Sequence, residues 1–406
     1  MKAAVPVKNK AERRPTCPHC KKRFRTTSTK AIFCSRPCKD KATADKRRIK
    51  YVEKAADSAF MKQLAFEASR AGTYEIFTGL QNAPESLAEL YRLYAFKLKA
   101  CQYGESRTYE LSHICPAQGE DNIGLYHPQN LVVAPMAMNR AHGNAHYGAG
   151  LSIDRNKLQS RYLIEKGTKQ SAIIAGIIRF IGADVVAQAV KIAGIKPRER
   201  VITLAWLRDH LDPAIEQHRL WLEGMDDMQT PALKALKLVV QGKEESGFKI
   251  ETRKWSQFEV LYQELSRHAQ HRPDLIPVMN AVQSFISDRL DATGCYDWLS
   301  VHTMDEVIQY LPDNFVTPVQ LQGLFDVLHG ASAEAFLQAV GTVPARSPVV
   351  ILATLPMPTR SSPSLSFLAD ARSFADELDT DYVPDIPPTL LPGHTLAYEQ
   401  CDPLPW

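Results

Sequence analysis

The sequence lacks the long apolar runs that mark a membrane-spanning or secreted protein. No stretch reaches 18 uncharged apolar residues, and the best candidate, Ser171–Val190, is interrupted by Arg179 and Asp184. We therefore predict a buried helix there and expect no membrane partner. The N-terminal lysines are not followed by an apolar segment, so we expect no secretory signal. The predicted location is cytoplasmic.

Several enzyme signatures are also missing. Residues 151–340 contain no nucleotide-binding loop, no nucleophile elbow and no second metal cluster, and the chain has no internal repeat. What remains is 406 residues with 45% hydrophobic and 23% charged side chains. That composition is ordinary for a globular chain of two or three domains.

Charge is distributed unevenly along the chain. Residues 1–54 hold 18 Lys or Arg and 4 Asp or Glu, so they carry a net charge of +14 within a total of +4. The remainder is therefore acidic, with a net charge of −10. A basic arm on an acidic body favours a polyanionic partner such as nucleic acid. The alternative is a solvated basic tail without a partner.

Four of the eight cysteines are clustered near the N-terminus, as two pairs with short spacing. Two such pairs can complete a tetrahedral site, so we predict a structural Zn²⁺ bound by Cys17, Cys20, Cys34 and Cys38. The stretch 33–38 resembles the second half of small zinc-ribbon or treble-clef-like fingers. The loop between the pairs is basic, which suits a phosphate backbone, although a protein-binding finger stays open. The expected phosphate contacts are Lys21, Lys22, Arg23 and Arg25.

Residues 109–144 contain a second candidate site. His113 lies on a short apolar run, Asn130 opens another apolar run, and Asn139 lies on a stretch with helical features. A neutral histidine can activate water, and oxygen ligands can hold Mg²⁺ or Mn²⁺ against a phosphate. The pattern predicts a strand over 109–114, a loop over 117–129 and a strand over 131–134. A helix should then start at Pro135 and run to about His146.

This segment resembles the ββα-metal core of the HNH endonuclease superfamily. It is most similar to the HNH domains of RNA-guided CRISPR effector nucleases, over some 36 residues. The shared pattern comprises YELSHICP (109–116), NLVV (130–133) and NRAHG (139–143). The resemblance implies that His113 is the general base and that Asn130 braces the hairpin loop and orients His113. It further implies that Asn139 binds the metal and that Arg140 contacts a phosphate.

One residue departs from the family pattern. Ser112 stands where the family usually has an Asp metal ligand. Its hydroxyl is a weaker, neutral ligand that supplies no charge, so the metal is expected on Asn139 with either Glu110 or Ser112. Glu110 shares the strand face of Ser112 and is the expected replacement ligand, with Asp121 as a weaker one. The chain is thus predicted as an HNH-type DNA endonuclease or nickase. The alternatives are a non-catalytic DNA-binding protein with a degenerate core, and a helical adaptor.

The predicted fold class is α+β: a mostly α-helical chain with an N-terminal four-cysteine zinc finger and a small ββα-metal core. Predicted domains are 1–42 (basic arm and finger), 43–150 (helices and the core at 109–146), 151–340 (helical) and 341–406 (tail). The tail holds 11 of the 26 prolines and several acidic residues, which is typical of disorder. The expected partner is double-stranded DNA, with a protein partner for the helical body or the tail. Because free-standing HNH proteins of this kind are common in bacteria and phages, we expect the chain to be encoded by a bacterium or a phage.

Overall fold

The computed structural model describes residues 12–244, 247, 252–292 and 302–341. Within them the chain is mostly helical, with short strands, as the composition and periodicity predict. The helices are α1 Arg36–Ala56, α2 Ala59–Ala71, α3 Pro84–Ala100, α4 Met136–His142, α5 Gln170–Ile181, α6 Ala183–Ala193, α7 Glu199–His210, α8 Glu216–Gly224, α9 Thr230–Gln241, α10 Gln257–Ala269, α11 Ile276–Ala292, α12 Met304–Ile308, α13 Pro318–Leu328 and α14 Glu334–Gly341. The strands are β1 Tyr109–His113, β2 Asn122–Gly124, β3 Leu131–Pro135 and β4 Ser152–Asp154. The predicted tail, apart from Gly341, lies outside the described residues.

Helix ends follow local capping chemistry. The periodic stretch 43–71 forms two helices rather than one, because Ser58 caps α2 by accepting a hydrogen bond from the Met61 amide at 3.0 Å. The apolar stretch beginning at Ser171 also divides, at Gly182, whose φ of 104° suits glycine. Helix α4 ends earlier than predicted, because Gly143 adopts a φ of 59° directly after His142.

Two small antiparallel sheets lie beside the helices. Strand β1 pairs with β3 from Tyr109 opposite Pro135 to His113 opposite Leu131, and β2 pairs with β4. Strand β3 is buried along its whole length, because α3 and α10 pack against it. Helix α4 follows β3 directly and contacts both β1 and β3. The elements β1, β3 and α4 therefore follow the predicted strand–strand–helix order, whereas β2 lies within residues 117–129, which were predicted as a loop.

One large hydrophobic cluster spans the predicted boundary at residue 150. It joins Phe60, Leu64 and Leu90 on one side of that position to Ile177 and Val186 on the other. A smaller cluster holds α7 to α9 together around Leu207 and Leu233. The strands of the second candidate site therefore rest on a helical core that is built from both halves of the chain.

No single helix of the described residues is both long and apolar enough to cross a membrane. Helices α5 and α6 reach that composition only as a pair, and the pair bends by 94°.

Candidate functional sites

The four N-terminal cysteines come together. Their sulfur atoms all lie within 4.8 Å of one another, with 3.5 Å between Cys20 and Cys34 and 3.4 Å between Cys34 and Cys38. Tetrahedral Zn–S bonds of about 2.3 Å would place the sulfurs roughly 3.8 Å apart. The thiols are therefore close enough to hold one metal ion. Cys17 is fully buried, and the other three thiols are half-buried.

Backbone geometry creates this cluster. The Cys17 amide donates to the Lys22 carbonyl at 2.9 Å, and the Lys21 amide donates back to the Cys17 carbonyl at 2.9 Å. This tight turn requires a φ of 59° at Lys21. The second pair begins α1, whose cap Ser35 accepts a hydrogen bond from the Cys38 amide at 3.4 Å. One pair thus lies on a turn and the other at a helix start.

The basic residues of the finger are exposed. Lys21, Lys22, Arg23 and Arg25 all lie on the surface, and Arg25 forms an ion pair with Glu12 at 3.5 Å. Helix α1 continues the basic surface away from the finger. An exposed positive surface of this kind attracts a polyanion mainly through long-range electrostatics.

In the second site, β1 and α4 bring Glu110 and Asn139 into contact. The Asn139 side-chain amide donates to one Glu110 oxygen at 2.9 Å, and Arg140 donates to the other at 2.8 Å. Burial would raise the pKa of Glu110, but the bonds from Arg140 and Asn139 outweigh it and lower this pKa. The carboxylate is thus ionised at neutral pH. It keeps about a third of its side chain exposed, within reach of a ligand.

Asn130 is fully buried and ties the hairpin loop together. Its side-chain oxygen accepts from the amides of Cys115 at 2.9 Å and Leu151 at 3.0 Å, while its amide group donates to the Leu125 carbonyl at 2.9 Å. Its backbone carbonyl accepts from the Ile114 amide at 2.9 Å. These bonds fix the chain immediately after His113. Gly150 is required beside them, because a Cβ there would lie 2.3 Å from the Asn130 oxygen.

His113 faces the opposite side of β1 from Glu110 and Ser112, because side chains alternate along a strand. Its ring packs against Tyr126 at 5.9 Å between centroids and lines a small cavity next to α2. Desolvation, together with the positive charge of Arg70, lowers the pKa of His113 to about 3. The imidazole is therefore neutral at pH 7, and it holds an added proton weakly.

Ser112 has a partner that the sequence does not reveal. Its hydroxyl lies 2.7 Å from Nε2 of His329, a fully buried residue that follows α13. Nδ1 of His329 lies 2.7 Å from the Phe325 carbonyl, so Nδ1 donates there and Nε2 accepts from Ser112. The His142 ring lies tilted against the His329 ring, with 4.9 Å between the ring centroids. At position 112, the missing carboxylate is thus replaced by a neutral hydrogen bond.

The structure therefore divides the predicted catalytic residues into two groups. Glu110, Asn139 and Arg140 meet on one side of β1, whereas His113 faces α2 on the other. Asp121 lies in the exposed loop, where its backbone carbonyl accepts from Arg155. Within the described residues, the four cysteines are the only group of three or more His, Cys, Asp or Glu side chains with converging ligand atoms.

His329 should make folding stability depend on pH. Burial lowers its folded pKa to about 4 from 6.5. Above pH 6.5 the ring is neutral in both states, whereas between pH 6.5 and 4 only the unfolded chain binds the proton. As the pH decreases from 6.5 towards 4, this group therefore lowers the free energy of unfolding by about 1.4 kcal/mol per pH unit. Between pH 7 and pH 5, we expect the free energy of unfolding to fall by about 2 kcal/mol less in His329→Phe than in the wild type.

Urea unfolding at the two pH values measures this difference. His329→Phe should also be less stable at pH 7, because Ser112 loses its acceptor. The exposed His146 provides the control, since His146→Gln should retain the wild-type pH dependence. Equal pH dependence in His329→Phe and the wild type would contradict the assignment of a buried neutral His329.

No family model matches this chain, and no curated protein or solved structure matches it significantly.

Proposed function

We propose that this chain is a metal-dependent endonuclease of the HNH type that hydrolyses phosphodiester bonds in DNA. The observation that carries this proposal is the contact between Glu110 and Asn139 across β1 and α4, at 2.9 Å. A carboxylate and an amide oxygen suit Mg²⁺ or Mn²⁺, which commonly take one or two carboxylates and complete their coordination with water and phosphate. The bound ion would neutralise charge at the phosphoryl group.

The proposed roles come from the resemblance in residues 109–144, and the positions of Glu110, Asn139 and Arg140 support theirs. Glu110 would hold the ion through its ionised carboxylate, and Asn139 would turn its amide oxygen to the same ion. Arg140, two-thirds exposed beside them, would contact the phosphate. Asn130 would position the base by fixing the backbone after His113. The resemblance would make His113 the acceptor of the attacking water's proton, for which its neutral form is required, although its side chain lies on the opposite side of β1 from Glu110 and Asn139.

We propose Zn²⁺ as the ion of the cysteine cluster, because four thiolates and no open position are typical of a structural zinc site. Its exposed basic residues would contact the DNA backbone without reading bases.

A cleavage assay tests the catalytic proposal. Supercoiled plasmid should be nicked or cut in the presence of Mg²⁺ or Mn²⁺, and His113→Ala should abolish this activity because the water loses its base. Glu110→Gln should raise the metal concentration for half-maximal cleavage by about tenfold, since the ion loses a charged ligand. The control is Glu120→Gln, which alters an exposed carboxylate of the same segment and should leave cleavage unchanged.

A second candidate function is DNA binding without cleavage. One observation in its favour is the hydrogen bond between Ser112 and His329, which already occupies the Ser112 hydroxyl. The other is the low pKa of His113, which makes this residue a weak base. Under this alternative the chain binds DNA in a salt-dependent manner but cuts nothing under any divalent metal. Absence of DNA binding at low salt would reject both nucleic-acid functions and leave the adaptor interpretation.

A further inference from the structure

A small cavity lies between α2, the end of β1 and the loop that follows it. The space that the centre of a water molecule can occupy in it is about 10 Å³, which is close to what one water molecule needs. Its polar lining comes from Glu67, Arg70, His113, Gln118 and Tyr126. A cavity of this size holds a water only when at least two polar groups face it, so the state of each group decides whether it does.

Tyr126 contributes the first of these groups. The residue is 1% exposed, and its ring is held by an edge contact with Phe77 at 6.3 Å and a tilted contact with His113 at 5.9 Å. Its hydroxyl is buried and has no hydrogen-bond partner among the described residues. Gln63 lies near this hydroxyl, and its side-chain amide donates one hydrogen bond to Glu67 at 2.9 Å. Because a buried hydroxyl without a partner costs about 1–3 kcal/mol, a water molecule in the cavity would stabilise this one.

Glu67 contributes an acceptor. Its carboxylate receives hydrogen bonds from Arg70 at 2.6 Å and from Gln63 at 2.9 Å. Two carboxylate oxygens offer about four acceptor positions, so Glu67 can accept a further bond. The residue is 8% exposed, so little bulk water reaches it.

His113 completes the lining. Its ring lines the cavity, and a neutral imidazole carries one donor and one acceptor. We propose that one water molecule occupies this cavity and links His113 to Glu67. The water accepts hydrogen bonds from the Tyr126 hydroxyl and from the His113 N–H, and donates one to the Glu67 carboxylate. Three bonds are the usual number for a buried water.

This water site makes Glu67 a positioning residue for His113. If the nitrogen facing the cavity is the one that carries the hydrogen, the other nitrogen must be the acceptor, and it faces away from the cavity. A carboxylate that acts on the far side of an imidazole fixes the tautomer in this way in many catalytic sites. The catalytic meaning of this arrangement rests on the proposed nuclease function, whereas the water site itself does not.

Tyr126→Phe in the full-length chain tests the site, because the two possible states of the cavity predict opposite signs. If a water bridges the cavity, removing the hydroxyl loses a hydrogen bond and lowers the thermal midpoint by roughly 2 °C. If the cavity is dry, removing an unsatisfied hydroxyl raises the midpoint, and that result would overturn the proposal. Tyr262→Phe is the matched control, because the Tyr262 hydroxyl bonds Gln283 at 3.2 Å and its loss must lower the midpoint.

The second readout is the tautomer of His113, observed by long-range proton–nitrogen NMR on protein labelled at histidine. We expect a single tautomer in the wild type and a mixture of both in Glu67→Ala, where the water loses its acceptor. An unchanged tautomer in folded Glu67→Ala would contradict the role of Glu67. If that variant does not fold, the sign of the Tyr126→Phe shift decides alone. Neither readout uses DNA, so a chain that cuts no DNA can still show the water site.

Discussion

Cys34→Ser is expected to release the metal of the N-terminal module and to unfold residues 12–38. The module has few buried apolar side chains of its own, so we expect its order to depend on the ion. Apparent zinc-binding free energies in isolated fingers are about 10–16 kcal/mol at pH 7, and in such modules binding energy is folding energy. The loss of one thiolate should also fray the first turn of α1, because Cys38 lies in that turn.

Metal analysis of the purified chain, combined with limited proteolysis, measures this effect. The wild type should contain one zinc per chain and resist cleavage in residues 12–38, and Cys34→Ser should do neither. Cys101→Ser provides the matched control. The Cys101 thiol is buried and donates to the Tyr109 carbonyl at 3.2 Å, a bond that a serine hydroxyl can retain. A Cys34→Ser protein with full zinc content would refute the four-cysteine site.

Arg267→Ala is expected to destabilise the whole fold by about 3–5 kcal/mol. Arg267 donates to the Glu264 carboxylate at 2.6 Å and to the backbone carbonyls of Pro128 at 2.8 Å and Leu131 at 2.5 Å. The Glu264 side chain is only 1% exposed. Without the guanidinium this carboxylate is a buried charge that has lost its ion-pair partner. The Pro128 carbonyl also loses this donor, and the Leu131 carbonyl keeps its bond to Nε2 of His268.

Denaturant unfolding of the variants measures the loss. The control is the pair between Arg208 and Asp226, which has the same 2.6 Å separation but side chains that are 53% and 63% exposed. Arg208→Ala should change stability by no more than about 1 kcal/mol, because solvent screens an exposed pair. Equal losses in the two variants would mean that burial of Glu264 does not set the energy.

Sequence spacing identified what depends on local geometry. Two closely spaced cysteine pairs define a four-thiol cluster wherever the intervening loop folds back, so the cluster could be predicted. The order of β1, β3 and α4 could be predicted because prolines punctuate the segment. The division of residues 43–71 at Ser58 was missed, since apolar spacing continues across the break and only the cap chemistry marks it.

The surroundings of the candidate catalytic residues could not be predicted, because they come from distant parts of the chain. His329 reaches Ser112 across 217 positions. Glu67 and Arg70 reach the side of His113 from α2, and nothing in their local sequence distinguishes them from ordinary helix-surface charges. A serine in place of an aspartate is visible in the sequence, but the partner that compensates for it appears only in three dimensions.

Helix α1 fixes the position of the finger on the molecule. Its 21 residues span about 31 Å, its first turn carries Cys38, and farther along it packs against α6, where Arg48 bonds Asp184 at 3.0 Å. The number of residues in the helix therefore sets the distance between the finger and α6. Adding or deleting one residue within it changes the span by only about 1.5 Å but turns the finger by about 100° around the helix axis. The orientation of the finger around the helix axis is thus far more sensitive to length changes than its distance from α6.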